Sequence, residues 1–164
     1  MRKSLLALAL VALLPACNNN DNNSSNSPTT PSSPSSQPTP EPTVANVVVT
    51  VNPVLVPAVA TADPNHPWSI AWQTTVRETA GISATVTTID VTLADLFTTY
   101  SGADLAAAST TGSPNLASKG TLTFNQGISY NLADGGRLAV VSIVVWLKDG
   151  KGNTISQVAQ LRII

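Results

Sequence analysis

The stretch Trp68-Ser69-Ile70-Ala71-Trp72-Gln73-Thr74-Thr75-Val76-Arg77 decides the fold class. Trp68, Ile70, Trp72, Thr74 and Val76 alternate with Ser69, Ala71, Gln73, Thr75 and Arg77, the period of two that marks a half-buried β-strand. A helix would group its apolar residues three and four apart instead. Both tryptophans run in phase with Ile70 and Val76, so Trp68 and Trp72 are expected to pack in the core.

The same period extends outward on both sides. Val47, Val49 and Val51 predict a first strand, and Pro53 and Pro57 make Val54–Val59 an edge segment, because proline cannot donate to a ladder. Asp63-Pro64-Asn65-His66-Pro67 and Ala80-Gly81 are turns. Ile82, Ala84 and Val86 share one parity and Ile89, Val91 and Leu93 the other, which predicts a bulge or break near Thr87-Thr88. Leu122, Phe124, Ile128 and Tyr130 return to one parity. The run Leu138 to Trp146 is apolar on both faces except at Ser142, which predicts a central strand covered on both sides with Trp146 in the core. After the Asp134-Gly135-Gly136 turn and the hairpin turn Asp149-Gly150-Lys151-Gly152-Asn153, the last strand points Ile155, Ala159, Leu161 and Ile163 inward. One segment departs from this pattern: Ser101-Gly102-Ala103-Asp104 has capping-box spacing and predicts a short helix at 102–108, followed by a loop from Gly112 to Gly120.

Residues 44–164 hold 16 Val, 16 Thr and 8 Ile, and this β-branched third favours pleated strands. About seven short strands separated by turns predict an all-β, antiparallel sandwich with one helical turn. With its Asp-Gly-Lys-Gly-Asn hairpin and closing strand, the segment resembles bacterial immunoglobulin-like and fibronectin III-like modules, without the Cys pair of true immunoglobulin domains. The resemblance implies a single immunoglobulin-like sandwich and says nothing of activity.

Upstream of residue 44 nothing is built to fold. Residues 18–43 contain six Asn, seven Ser, six Pro and four Thr, and no aliphatic or aromatic side chain whose burial could offset the entropy of ordering. This tether would span roughly 25–30 Å as a coil and up to about 80 Å extended. Before it, Arg2 and Lys3 precede an apolar run from Leu5 to Leu14, the pattern of an export signal, too short to span a bilayer. Leu14-Pro15-Ala16-Cys17 then resembles the lipobox of bacterial lipoproteins. That resemblance implies cleavage between Ala16 and Cys17 after a signal peptide of residues 1–16, and acylation of Cys17, the sole cysteine. It also implies a membrane-anchored exported protein. Asn18, rather than Asp, follows the cysteine, and by its resemblance to enterobacterial-type sorting signals it implies the outer membrane or cell surface as the destination.

The whole chain has a net charge of −1. Without Arg2 and Lys3, six basic residues face nine acidic ones, a net of −3. This balance argues against a nucleic-acid partner, and it predicts no basic patch to help hold the membrane. One histidine and one cysteine leave no metal cluster, internal disulfide or cofactor site. His66 with Asp63 lacks a nucleophile motif and reads as a surface turn. Asp149 and Asn153 straddle Lys151 and read as a hairpin rather than a calcium loop. Seven acids (Asp63, Glu78, Asp90, Asp95, Asp104, Asp134, Asp149) are scattered without a motif, so no catalytic residue is expected. The expected role is non-enzymatic: adhesion or protein–protein contact. The alternatives are a carbohydrate- or small-molecule-binding module stacking its ligand on Trp68 or Trp72, or a purely structural periplasmic lipoprotein.

Overall fold

The computed structural model describes Thr39–Ile164, and the expectations for residues 1–38, Ala16 and Cys17 among them, lie outside these residues. The described residues form an all-β unit of ten strands. Seven have six residues or more: β1 (Val47–Asn52), β4 (Trp68–Glu78), β5 (Ala84–Leu93), β6 (Leu96–Ser101), β8 (Thr121–Tyr130), β9 (Val140–Asp149) and β10 (Thr154–Ile163). Three have only two residues: β2 (Leu55–Val56), β3 (Val59–Ala60) and β7 (Asn115–Leu116). In the narrow sheet β4 pairs with β8 on one side and with β1 and β3 on the other; the wide sheet runs β2-β10-β9-β5-β6, with β7 also on β5.

Both sheets contribute to a single core. Ile70, Trp72, Val76, Phe124 and Tyr130 come from the narrow sheet, and Val86, Ile89, Val91, Ile143, Val145 and Leu147 from the wide one. Among the described residues, Thr39–Ile164 form one compact unit with one hydrophobic core cluster. No helix among the described residues is long and apolar enough to cross a membrane.

The prolines act as the spacing predicts, with a consequence the pattern did not show. β1 lies in the narrow sheet, β2 in the wide sheet and β3 in the narrow sheet again, with Pro53 and Pro57 between the pieces. The chain changes sheets without reversing direction, so β2 lies parallel to β10, and the expected purely antiparallel arrangement is corrected to a mixed wide sheet. The parity flip is a bulge: the β5–β9 register shifts between Val86 and Thr88, and the Thr87 hydroxyl donates to the Trp146 carbonyl (3.1 Å).

The short helix α1 spans Gly102–Ala108 and is held by Leu105, which is buried. Its capping box does not form. Ser101 is the last residue of β6, paired with Thr88, and its extended backbone carries no side-chain cap. Leu116, inside the expected 112–120 loop, is buried and forms β7 against Ala84 and Thr85.

One buried polar cluster crosses the narrow sheet. Trp72 Nε1 donates to Thr74 Oγ1 (3.2 Å), the Thr74 hydroxyl donates to Gln126 Oε1, and Gln126 Nε2 has no partner among the described residues. Thr74 therefore serves two buried groups. Thr74→Val keeps the shape but orphans both, and each orphan costs about 1–3 kcal/mol. The expected loss is about 2–4 kcal/mol, read from the urea midpoint at unchanged m-value.

Candidate functional site

The strands run from a near end, where the chain enters the unit, to a far end. The near end is built from the turns at 79–83, 117–120 and 149–153. Two carboxylates hold it together. Glu78, buried at the last position of β4, accepts from the N–H groups of Ala80 (2.7 Å), Gly81 (2.8 Å) and Lys119 (2.9 Å), with Asn46 N at 3.4 Å. Burial works against its charge, but the N–H groups of Lys119, Gly81, Ala80 and Ile82 prevail and hold its pKa below the ordinary value.

Asp149, also buried, accepts from Lys151 N (2.9 Å), Asn153 N (2.8 Å) and the Asn153 amide (2.9 Å) within its hairpin, and from Ala45 N (3.1 Å) at the start of the unit. The Asn153 side chain, against the cost of burial, and then the Ala45, Asn153 and Lys151 N–H groups lower its pKa to about 2. Both oxygens are engaged by the protein itself. A carboxylate whose folded pKa lies below its ordinary value near 3.9 stabilises the fold fully above that value and loses the contribution as pH falls toward 2. The urea midpoint is therefore expected to hold down to about pH 5 and to fall steeply between about pH 4 and 2. In Asp149→Asn the midpoint is lower at neutral pH and the acid-dependent fall is shallower.

The structure also gathers lysines that the sequence leaves scattered. Lys119 and Lys151 share a shallow cleft of about 550 Å3 with Glu41, Ser83 and Ser118. Lys148 lines the adjoining cleft, which shares Ser83 and Gly150. All three are exposed, and none is in an ion pair among the described residues.

The three tryptophans are placed differently from one another. Trp72 is buried, and Trp68 is half-buried beneath Gly135, so neither presents an open stacking face. Trp146, expected in the core, is 38% exposed and points outward from the middle of the wide sheet. The run to Trp146 is central, between β10 and β5, but only its inner face (Val141, Ile143, Val145 and Leu147) is covered. No element of the unit packs on the other face.

That outer face has an ordered arrangement. Trp146 sits opposite Ser156 on one side and Thr88 on the other, directly at the bulge. Its Nε1 donates to Asp90 Oδ2 (2.9 Å), and Thr99 fixes the other carboxylate oxygen (2.8 Å). Asp90 is paired with Val144, one outward position along from Trp146, so the indole leans across the sheet with its polar edge already satisfied. Val144 and the exposed Val158 adjoin it as a cross-strand pair, and Val140 and Phe97 are exposed farther along the same sheet.

The remaining candidates stay apart. His66 Nδ1 lies 3.1 Å from Asp63 Oδ2 in an exposed turn, and no hydroxyl among the described residues hydrogen-bonds the imidazole. The N–H of Asn65, then the His66 ring, keep the Asp63 pKa below its ordinary value. A cleft of about 650 Å3 opens between the edge strands β6 and β8, with Asp104 and Tyr100 in its lining. There the Tyr100 hydroxyl donates to the Gly127 carbonyl (2.6 Å), closing part of the β8 edge. No pair of carboxylates converges in it.

No protein-family model matches the chain, and no curated protein matches it. Among solved structures it is similar to a Bordetella pertussis protein assigned as ApaA, with a TM-score of 0.50 at 14% identity over 73% of this chain and 94% of that one. It is also similar to the structural-genomics target SoR45, with a TM-score of 0.46 at 10% identity over 72% and 86% of the two chains. Likeness at such identities is likeness of fold alone.

Proposed function

We propose that the chain is an exported, lipid-anchored envelope protein that presents an immunoglobulin-like β-sandwich for adhesion or protein–protein contact, without catalysis. Cys17 receives the lipid after cleavage behind Ala16, and residues 18–43 tether the unit to the outer membrane or cell surface. The observation that carries the binding role is Trp146, exposed at the centre of the wide sheet and pinned by Asp90. An indole held in place with part of its face in solvent is suited to contact with something outside the fold. The carbohydrate-binding alternative moves from Trp68 and Trp72 to the same residue, whose satisfied N–H edge leaves the ring face for stacking.

Two experiments test the reading. Membrane fractionation with acyl-chain labelling should show label and membrane retention lost in Cys17→Ser; retention without Cys17 removes the anchor. Photocrosslinking from position 158 in intact cells should give a protein adduct that disappears in Trp146→Ala. Affinity electrophoresis through neutral polysaccharides separates the alternative: retardation that survives Trp146→Phe but not Trp146→Leu supports glycan stacking. Absence of both adduct and retardation removes the binding role.

A further inference from the structure

We infer that the near end of the unit is a docking surface for anionic lipid headgroups, so that the domain stands with its strands upright on the bilayer that anchors it. The balance of exposed charge differs between the two ends of the strands. Lys119, Lys148 and Lys151 surround Ser83 and Gly150 at the near end, and the exposed Arg77 is the penultimate residue of β4 at the same end. The acids at this end are Glu41, which is exposed, and Glu78 and Asp149, which are buried and turned inward to backbone N–H groups. Asp63, Asp95 and Asp134 lie in the turns of the opposite end, where the exposed Arg137 and Arg162 offset two of them. The surface at the near end therefore presents ammonium groups outward.

Where the chain enters decides which anionic surface these lysines meet. Ala45 N is held by Asp149 and the Thr43 carbonyl by Asn153, so the tether joins the unit at the lysine-bearing end. The position of the membrane rests on the lipid-anchor reading; the charge pattern stands without it. A tether of 26 residues keeps the unit at an effective concentration in the millimolar range. Each lysine near an anionic leaflet favours contact roughly fivefold, so three together bias the orientation about a hundredfold. That attraction is too weak to recruit a free protein strongly and sufficient to orient a tethered one. The strands then rise from the bilayer and the Trp146 face is presented sideways, clear of the lipid.

The test uses residues 39–164, which carry their own core and no lipid, in flotation with phosphatidylglycerol-containing and pure phosphatidylcholine vesicles at millimolar lipid. Binding to anionic vesicles at 50 mM salt is expected, lost at 0.5 M salt and absent on neutral vesicles. Lys119→Gln, Lys148→Gln and Lys151→Gln should each lower it about fivefold with the melting temperature unchanged. Equal partitioning to both vesicle types, or no binding to the anionic ones at 50 mM salt, overturns the inference. The anchor reading is judged separately by the Cys17→Ser fractionation, so either can fail alone.

Discussion

Glu78→Ala is expected to lower stability by about 3 kcal/mol, the largest loss from any single exposed-end substitution, with a fall of roughly 10–15 °C in melting temperature. The reason is the number of donors that depend on one carboxylate. Ala80, Gly81 and Lys119 direct their N–H groups at its two oxygens within 2.9 Å, and Asn46 adds a longer contact. These donors belong to the end of β4, the turn before β8 and the start of the unit, so losing the acceptor loosens three segments together. Glu78→Gln retains the shape and one good acceptor and should lose about half as much. Thermal melts of the two variants beside the parent measure this directly. If Glu78→Ala melts within about 2 °C of the parent, the carboxylate is not the clasp described here.

Trp146→Ala is expected to weaken binding at the outer face by about 30-fold or more, with the unit still folded. The solvent-side face of Trp146 is not buried by folding, so that part of the side chain is free for a partner. Its truncation removes contact area from that partner. The readout is the yield of the crosslinked adduct, or the retardation in polysaccharide gels, titrated for parent and variant. Acrylamide quenching gives an independent check. The parent should show one readily quenched tryptophan component, and Trp146→Phe should abolish it, leaving the protected emission of Trp72 and the partly shielded emission of Trp68. Loss of folding in Trp146→Ala would assign the residue to structure rather than to binding.

The placement of the two acids and of Trp146 shows where local reading stops. Glu78 appeared in the sequence as one of several scattered acids, because its ligands are backbone N–H groups and such groups leave no sequence signature. Asp149 appeared as a hairpin residue, which it is, but its bond to Ala45 spans 104 positions. Trp146 was placed inside because its run is apolar at successive positions, and two-sided burial is the usual reason for such a run in a central strand. Whether the second face is covered depends on which elements remain to pack there. Among the described residues the one α-helix, α1, packs at the β6–β8 side through Leu105 and leaves that face open.

By itself the sequence determined most of the longer strands, because alternation with period two is a property of consecutive residues, but it did not show β6 or the two-residue β7. It determined the two proline breaks, since a missing N–H acts at its own position, and the bulge, since an inserted residue reverses the parity that follows it. The tertiary structure alone decided which strands share a sheet, that β2 lies parallel to β10, that three distant lysines meet at one end, and which face of β9 stays bare. Those outcomes depend on contacts between residues far apart in the chain, and each is selected by the burial of the whole core rather than by any local preference.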